Sequence, residues 1–185
     1  MTPGESLPPP WRTRWRVRIG YPVGVACFLL AGPTPTTLSA GAALAVIGLA
    51  TRAAAAGHLR KHEALATAGP YAWTRNPLYL GSLLLGAGFL LAAASWIAAA
   101  VAALYLGVFY PGVMRREEEE LRAEYGASFD EYARRVPLFW PRAPRGAAAE
   151  PFSWNQYRKN REYQALAGAA VAFAILAAEM LWRAR

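Results

Sequence analysis

Apolar positions in this chain gather into long runs, and most polar residues fall between them. Val17 to Ala31 is the first run. The second extends from Thr37 to about Gly57 with Arg52 as its only charge, the third from Leu78 to about Ala94, the fourth from Ile97 to about Val113, and the last from Ala165 to Trp182. A hydrocarbon layer of roughly 30 Å is crossed by about 20 helical residues, so runs of this kind read as spans. The pattern predicts an all-α protein, a multi-pass transmembrane helical bundle of about five spans. The first run is short for a span, and its basic start also fits a secretory signal, but the four runs behind it favour a multi-span protein.

Residues between the runs mark where helices start and stop. Gly32-Pro33-Thr34-Pro35-Thr36 breaks the chain, after which Thr37 or Ser39 can cap the second helix. Asn76 is a natural N-cap for the third, with Pro77 in the first helical position, where its missing N–H costs nothing. Ser95-Trp96 reads as a tight turn that folds the third and fourth spans into an antiparallel hairpin, and glycines 81, 86, 88 and 107 would let helix backbones approach closely. Beyond the fourth run, Arg115 to about Tyr125 continues as a helix outside the membrane, with Gly126 as a stop. Ser128 to Glu131 has the capping-box pattern of a further short helix that Pro137 ends. Four segments result: a basic interfacial start over 1–16, a membrane domain over 17–142, a Pro/Ala/Arg connector over 143–163, and a C-terminal transmembrane helix over 164–185.

Composition agrees with a membrane protein, since 55% of residues are apolar and only 17% charged. The net charge of +8 arises from 18 Arg and 2 Lys against 12 acids, and its placement matters more than its size. Seventeen of the twenty basic residues lie in the N-terminus, in residues 58–77 or in residues 115–163, all at one end of the expected spans. By the positive-inside rule these segments face the cytoplasm and the C-terminus lies outside the cell, which puts the protein in the cell (inner) membrane. Basic residues at span ends set topology and meet lipid headgroups; they form no single soluble face for nucleic acid. Trp11, Trp15, Trp154 and Trp182 suit interfacial anchors, and Arg52, near the inner end of its helix, can reach the headgroups. Cys27 is the only cysteine and sits in an apolar run, so it reads as a packing residue. His58 and His62 have one-face spacing, yet with no further His or Cys to complete a site no metal is expected.

Two polar clusters break the apolar character. Gly69-Pro70-Tyr71-Ala72-Trp73-Thr74-Arg75-Asn76-Pro77-Leu78-Tyr79 precedes the third run, and Arg115-Arg116-Glu117-Glu118-Glu119-Glu120 follows the fourth. Polar groups at membrane helix ends are costly to desolvate and are functional-site candidates by default. Under the predicted topology both emerge on one side and can build one pocket. Tyr71, Trp73 and Tyr79 offer stacking surfaces, Arg75 a partner for a carboxylate or phosphate, and the carboxylates partners for amines or hydroxyls. Such a set suits a zwitterionic cofactor with an aromatic base. Taken alone, the glutamate run could equally be a solvated helix face.

The combined pattern resembles the isoprenylcysteine carboxyl methyltransferase and phospholipid methyltransferase family of integral membrane enzymes. It is carried by Gly69-Pro70-Tyr71, Arg75-Asn76-Pro77-Leu78-Tyr79, Glu117-Glu118 with Leu121, Tyr125-Gly126, Phe129, Tyr132 and Val136-Pro137, over about residues 58–142. The resemblance implies S-adenosyl-L-methionine as methyl donor at the cytoplasmic helix ends and a lipophilic or small acceptor, with the bilayer as the other partner. By motif position Gly69, Pro70, Tyr71, Arg75, Asn76, Tyr79, Glu117 and Glu118 line the cofactor site, and Arg75, Asn76 and Glu118 are the expected catalytic set. Asn76 stands where the family frequently has histidine, and an amide cannot take a proton near neutral pH. The alternatives are an NADPH-dependent membrane sterol or enone reductase, similar in helix layout, and a non-catalytic membrane scaffold.

Overall fold

The computed structural model describes residues 11–60, 63–144 and 150–185, and within 11–17 the side chain of Trp15 alone. Most of the basic N-terminal segment, His62, and Gly146 with its alanines lie outside the described residues. Among the described residues the fold is all helical: α1 (Trp11–Leu29), α2 (Pro35–His58), a short 3-10 turn (Gly69–Ala72), α3 (Pro77–Ala93), α4 (Trp96–Tyr125), α5 (Ala127–Arg135), α6 (Trp154–Lys159) and α7 (Tyr163–Arg183). Each of the five apolar runs is a helix. Three of them, α2, α4 and α7, are long and apolar enough to cross a bilayer, while Arg18–Leu29 within α1 and the whole of α3 are apolar but shorter.

Helix starts differ from the sequence expectation where proline or glycine decides. Thr34, not Thr37 or Ser39, caps α2: its Oγ1 accepts from Thr37 N at 3.2 Å, and Thr37 Oγ1 accepts from Thr34 N at 3.0 Å. Pro35, with its φ already helical, starts the helix earlier than expected. Gly126, at φ 53°, ends α4 and immediately begins α5 at Ala127, so Ser128 falls inside the helix and caps nothing. No break occurs at Arg115: α4 runs 30 residues straight from the apolar run into the acidic stretch, with Pro111 inside it. The six residues of α6, capped by Ser153, are too few to show a periodicity and were absent from the expectation.

The 3–4 hairpin exists as a connection, with Ala94 in the left-handed region (φ 52°) and Ser95 capping α4, but the two helices hardly pack. Instead α3 lies along α2, and α4 packs chiefly on α1. Glycine explains the choice. A Cβ at Gly48 would stand 2.5 Å from Leu85 N, one at Gly88 would stand 2.6 Å from both Gly41 O and Ala45 N, and one at Gly41 would strike the α3 backbone. The α2–α3 seam is therefore backbone against backbone, as small residues allow. Gly86 and Gly107 face open space and take no part in it, and neither does Gly24 of the Gly20/Gly24 pair.

Arg52 departs from its expected role. Its guanidinium turns inward, with Nε 2.5 Å from Glu162 Oε1, Nη2 3.0 Å from Oε2, and Nη1 on the Ser82 hydroxyl. Gly81 makes room for this, because a Cβ there would lie 2.5 Å from Arg52 Cγ. One arginine thus ties α2, α3 and the start of α7 together, and Glu162, at 8% exposure, is too buried to be left unpaired.

The bundle has two unlike ends. At one, Ala31, Ala92, Ala93 and Leu176 form a small core, Gly32 N donates to Ala93 O at 2.7 Å, and Arg183 donates to Ala31 O at 2.8 Å. At the other end lie the end of α2, the 3-10 turn, α5, α6 and the segment after α5. The polar clusters meet there.

Candidate functional site

The site is built on a loop that folds through a glycine. Gly69 has φ +57°, a conformation that side chains disfavour, and the His58 ring lies 2.6 Å from where its Cβ would be. The turn that follows buries Tyr71, whose carbonyl accepts a 2.8 Å hydrogen bond from the Tyr132 hydroxyl of α5. Segment 136–142 then comes back across the loop and is stitched to it. Arg75 N donates to Pro137 O (2.9 Å), Arg142 N to Trp73 O (3.0 Å), Thr74 Oγ1 to Leu138 O (3.3 Å) and Asn76 Nδ2 to Leu138 O (3.0 Å). Asn76 holds the N-cap position of α3, but its side chain makes no cap bond; it locks the loop instead.

Arg75 and Glu118, from the two clusters, stand face to face. Arg75 Nη2 lies 2.7 Å from Glu118 Oε1, with the side chains only 14% and 19% exposed. Nη1 donates to Ala133 O at 2.7 Å. The pairing is incomplete: Arg75 Nε is buried without a hydrogen bond, and Glu118 Oε1, though within ion-pair distance, receives none in line. Buried polar atoms left in this way are uncommon. The guanidinium offers an edge to an anion, and the carboxylate an acceptor to an ammonium or hydroxyl.

The aromatic residues are distributed more widely than the sequence implies. Tyr71 is buried, Tyr79 sets its ring edge-on to Tyr110 at 5.7 Å, and Trp73 is half exposed. Burial pushes the phenol of Tyr71 well above the ordinary value near 10, and the charge of Glu117 adds to this. Tyr132 is raised by burial too, with Arg75 opposing and Glu118 reinforcing the shift. Glu117 itself is solvent exposed. A separate open groove of about 270 Å³ runs along α2, α6 and α7, lined by Leu49, Ala53, Tyr157, Glu162 and Leu166 among others, and neither Arg75 nor Glu118 lines it. Tyr132, a positioning contact in this geometry, carried only a motif signal in the sequence. The carbonyls of Ala133 and Leu138 carried none, because backbone partners leave no trace in residue identity.

Fold and site together define an all-helical membrane protein with an arginine–carboxylate centre at one end of its bundle. The chain belongs to the phospholipid methyltransferase family of integral membrane methyltransferases, whose family model matches residues 23–128, more than half of its length. It is 44% identical over 85 residues to the cobalt-zinc-cadmium resistance protein CzcN of Cupriavidus metallidurans, and 40% identical over 83 residues to the nickel-cobalt-cadmium resistance protein NccN of Alcaligenes xylosoxydans xylosoxydans. Each match covers 45% of this chain and 38% of the relative, so this chain spans under two fifths of the curated relatives it matches. No solved structure matches the chain.

Proposed function

We propose that this protein is an S-adenosylmethionine-dependent membrane methyltransferase that passes a methyl group to a lipophilic or small acceptor, such as an isoprenylcysteine-like carboxylate or a phospholipid amine. The observation that carries this reading is the Arg75–Glu118 centre. Its guanidinium and carboxylate, paired at 2.7 Å and largely buried, with Arg75 Nε lacking a hydrogen bond, are the charges that a ligand presenting a carboxylate and an ammonium together would engage, as the amino-acid end of this cofactor does. When bound, the cofactor supplies a methyl group on a sulfonium, a leaving group that needs no proton.

The protein's share is accordingly positioning and dryness. Arg75 holds the carboxylate and Glu118 the ammonium. The loop from Gly69 and Pro70 through Tyr71 to Asn76, with Tyr79 and Glu117 at its margins, encloses the remainder. Asn76, with its amide already given to Leu138 O, keeps the loop in register and moves no proton. Setting donor and acceptor within near-attack distance, with water excluded by packed helices, supplies a large share of such a barrier. Five crossings with the site on the cytoplasmic face of the inner membrane complete the reading, supported by the sequence, in which seventeen of the twenty basic residues fall in the N-terminus, residues 58–77 and residues 115–163. From the metal-resistance names of the relatives we carry over only a setting in which to assay the protein: cells under divalent-metal stress.

The test is to titrate detergent-solubilised protein with S-adenosylhomocysteine and with NADPH. Binding of the former is expected; stabilisation by NADPH alone would replace this reading with the reductase one. Mass spectrometry of lipid extracts from cells with and without the protein then identifies the acceptor as a species differing by one methyl group.

A further inference from the structure

The open groove along α2, α6 and α7 stands apart from the Arg75–Glu118 centre. Leu49, Ala50, Ala53 and Leu166 wall a concavity of about 270 Å³ that starts beside Tyr157 and Glu162 and reaches Val46. From Ala53 to Val46 it follows about 10 Å of helix, from the site-side rim towards the middle of the bilayer. The one carboxylate in it is already satisfied, because Arg52 holds both Glu162 oxygens. An occupant is left with apolar walls and the Tyr157 hydroxyl, which has no hydrogen-bond partner among the described residues. A hydrocarbon chain fits such a trough; a polar solute would lose its hydration there without replacement.

The rim of the groove is basic. α6 and the turn after it set Arg158 next to Tyr157 and Arg161 next to Glu162, with both arginines exposed. Among the described residues neither guanidinium has an ion pair or hydrogen bond, whereas Lys159 between them is engaged by Glu63. Arg161 takes φ 53°, a conformation that side chains disfavour. This turn, held by Glu162 N donating to Tyr157 O at 3.3 Å, lets Glu162 reach inward to Arg52 while Arg161 stays at the surface. Trp154, 68% exposed on the same short helix, marks the level of the headgroups. Two free guanidiniums at that level, heading an apolar trough that descends into the bilayer, are complementary to one phosphate over one acyl chain.

We infer that this groove binds one anionic phospholipid from the leaflet on the site side, its phosphate held by Arg158 and Arg161 and an acyl chain laid against Leu49, Ala50, Ala53 and Leu166. The lipid is a bound ligand and not the methyl acceptor, since neither Arg75 nor Glu118 lines the groove. It braces the corner where α2, α6 and α7 meet around the Arg52–Glu162 pair. Binding here is independent of methyl transfer.

Native mass spectrometry of the full chain in detergent, with phosphatidylglycerol and phosphatidylcholine of identical acyl chains, tests this. One phosphatidylglycerol should stay bound under conditions that strip phosphatidylcholine. Arg158→Gln/Arg161→Gln should weaken phosphatidylglycerol binding by about tenfold or more, the loss expected for two basic groups at a headgroup, and leave phosphatidylcholine unaffected. Arg134→Gln/Arg135→Gln removes the same charge from the exposed face of α5 and should change neither. Ala50→Trp, at an exposed position of the groove, should fill the trough and abolish lipid retention; Leu166→Trp closes it from α7 if the first variant does not fold. Equal retention of the two lipids, equal losses in the two arginine double variants, or full retention in a folded groove variant overturns the inference. So does loss of a dimer instead of lipid in the groove variants, which would make this face an interface between two copies of the chain.

Discussion

At the scale of single residues, the centre rests on one arginine and one glutamate brought from positions 43 residues apart to 2.7 Å. Arg75→Ala removes the cation paired with Glu118 at 2.7 Å, so S-adenosylhomocysteine should bind at least about tenfold more weakly by calorimetry, the loss expected for a charge-assisted contact. Arg75→Lys should recover part of this, since an ammonium keeps the charge but loses the planar fork. Unaltered affinity in Arg75→Ala would sink the assignment of the carboxylate to this residue. Tyr132 makes a separate prediction. Tyr132→Phe deletes the 2.8 Å bond to Tyr71 O and should destabilise the protein by about 1 kcal/mol in thermal unfolding. Its titration also has a definite sign. The phenols of Tyr71 and Tyr132 are raised above their ordinary value, so the folded state favours the protonated form, and their contribution is complete below about pH 10 and falls as pH climbs beyond it. Unfolding temperatures measured from pH 8 to 11 should therefore drop steeply at the alkaline end, and less so in the Tyr71→Phe/Tyr132→Phe double variant once its lower baseline is subtracted.

Among elements, the locations of the helices were readable in the sequence and their partners were not. Apolar runs and Pro or Gly punctuation placed α2, α3, α4 and α7 to within a few residues, because spanning length and helix termini are local properties. Packing is not local. The hairpin expectation paired α3 with α4 by adjacency, whereas the glycines at 41, 48, 81 and 88 bring α3 onto α2, and nothing in a single run says which face will meet which neighbour. Arg52 was misjudged for the same reason: its partner Glu162 lies 110 residues away. The site was legible as far as a motif reports side chains, and illegible where carbonyls of Ala133, Pro137 and Leu138 do the holding. The seam can be tested directly. Gly88→Leu inserts a side chain where a Cβ alone already lies 2.6 Å from backbone and should cost about 1–3 kcal/mol, whereas Gly86→Ala, with nothing within 4 Å, should change stability by less than about 0.5 kcal/mol. The rate at which buried Cys27 reacts with a maleimide on heating reports both. Equal effects at the two positions would mean that α3 does not lie on α2 as described.

For the molecule as a whole, the decisive quantity is how many times the chain crosses the bilayer, because that fixes on which side the site lies relative to the C-terminus. Three helices are long and apolar enough to cross, and the five crossings we propose draw on two further geometric observations. The seam from Gly41–Gly88 to Arg52–Gly81 sets α3 beside α2 through most of its length, which is what the proposal requires of an α3 that crosses with α2. The C-terminal end of α1 also joins the same small core as the start of α2, the end of α3 and the far half of α7, through Phe28, Leu38, Ala93 and Leu176. Exposed tryptophans mark both ends, with Trp96 at 91% and Trp182 at 76% exposure on the core side, and Trp140 at 74% and Trp154 at 68% on the site side, as interfacial belts require. In a Cys27→Ala background, Ser95→Cys and Arg185→Cys should accordingly react with a membrane-impermeant maleimide in intact cells, and Arg158→Cys only after permeabilisation. Labelling of Arg158→Cys alone in intact cells would invert the orientation. If Ser95→Cys and Arg158→Cys were labelled from one side, α4 and the acidic stretch beyond it could not carry the chain across, and the arrangement of five crossings would have to be abandoned.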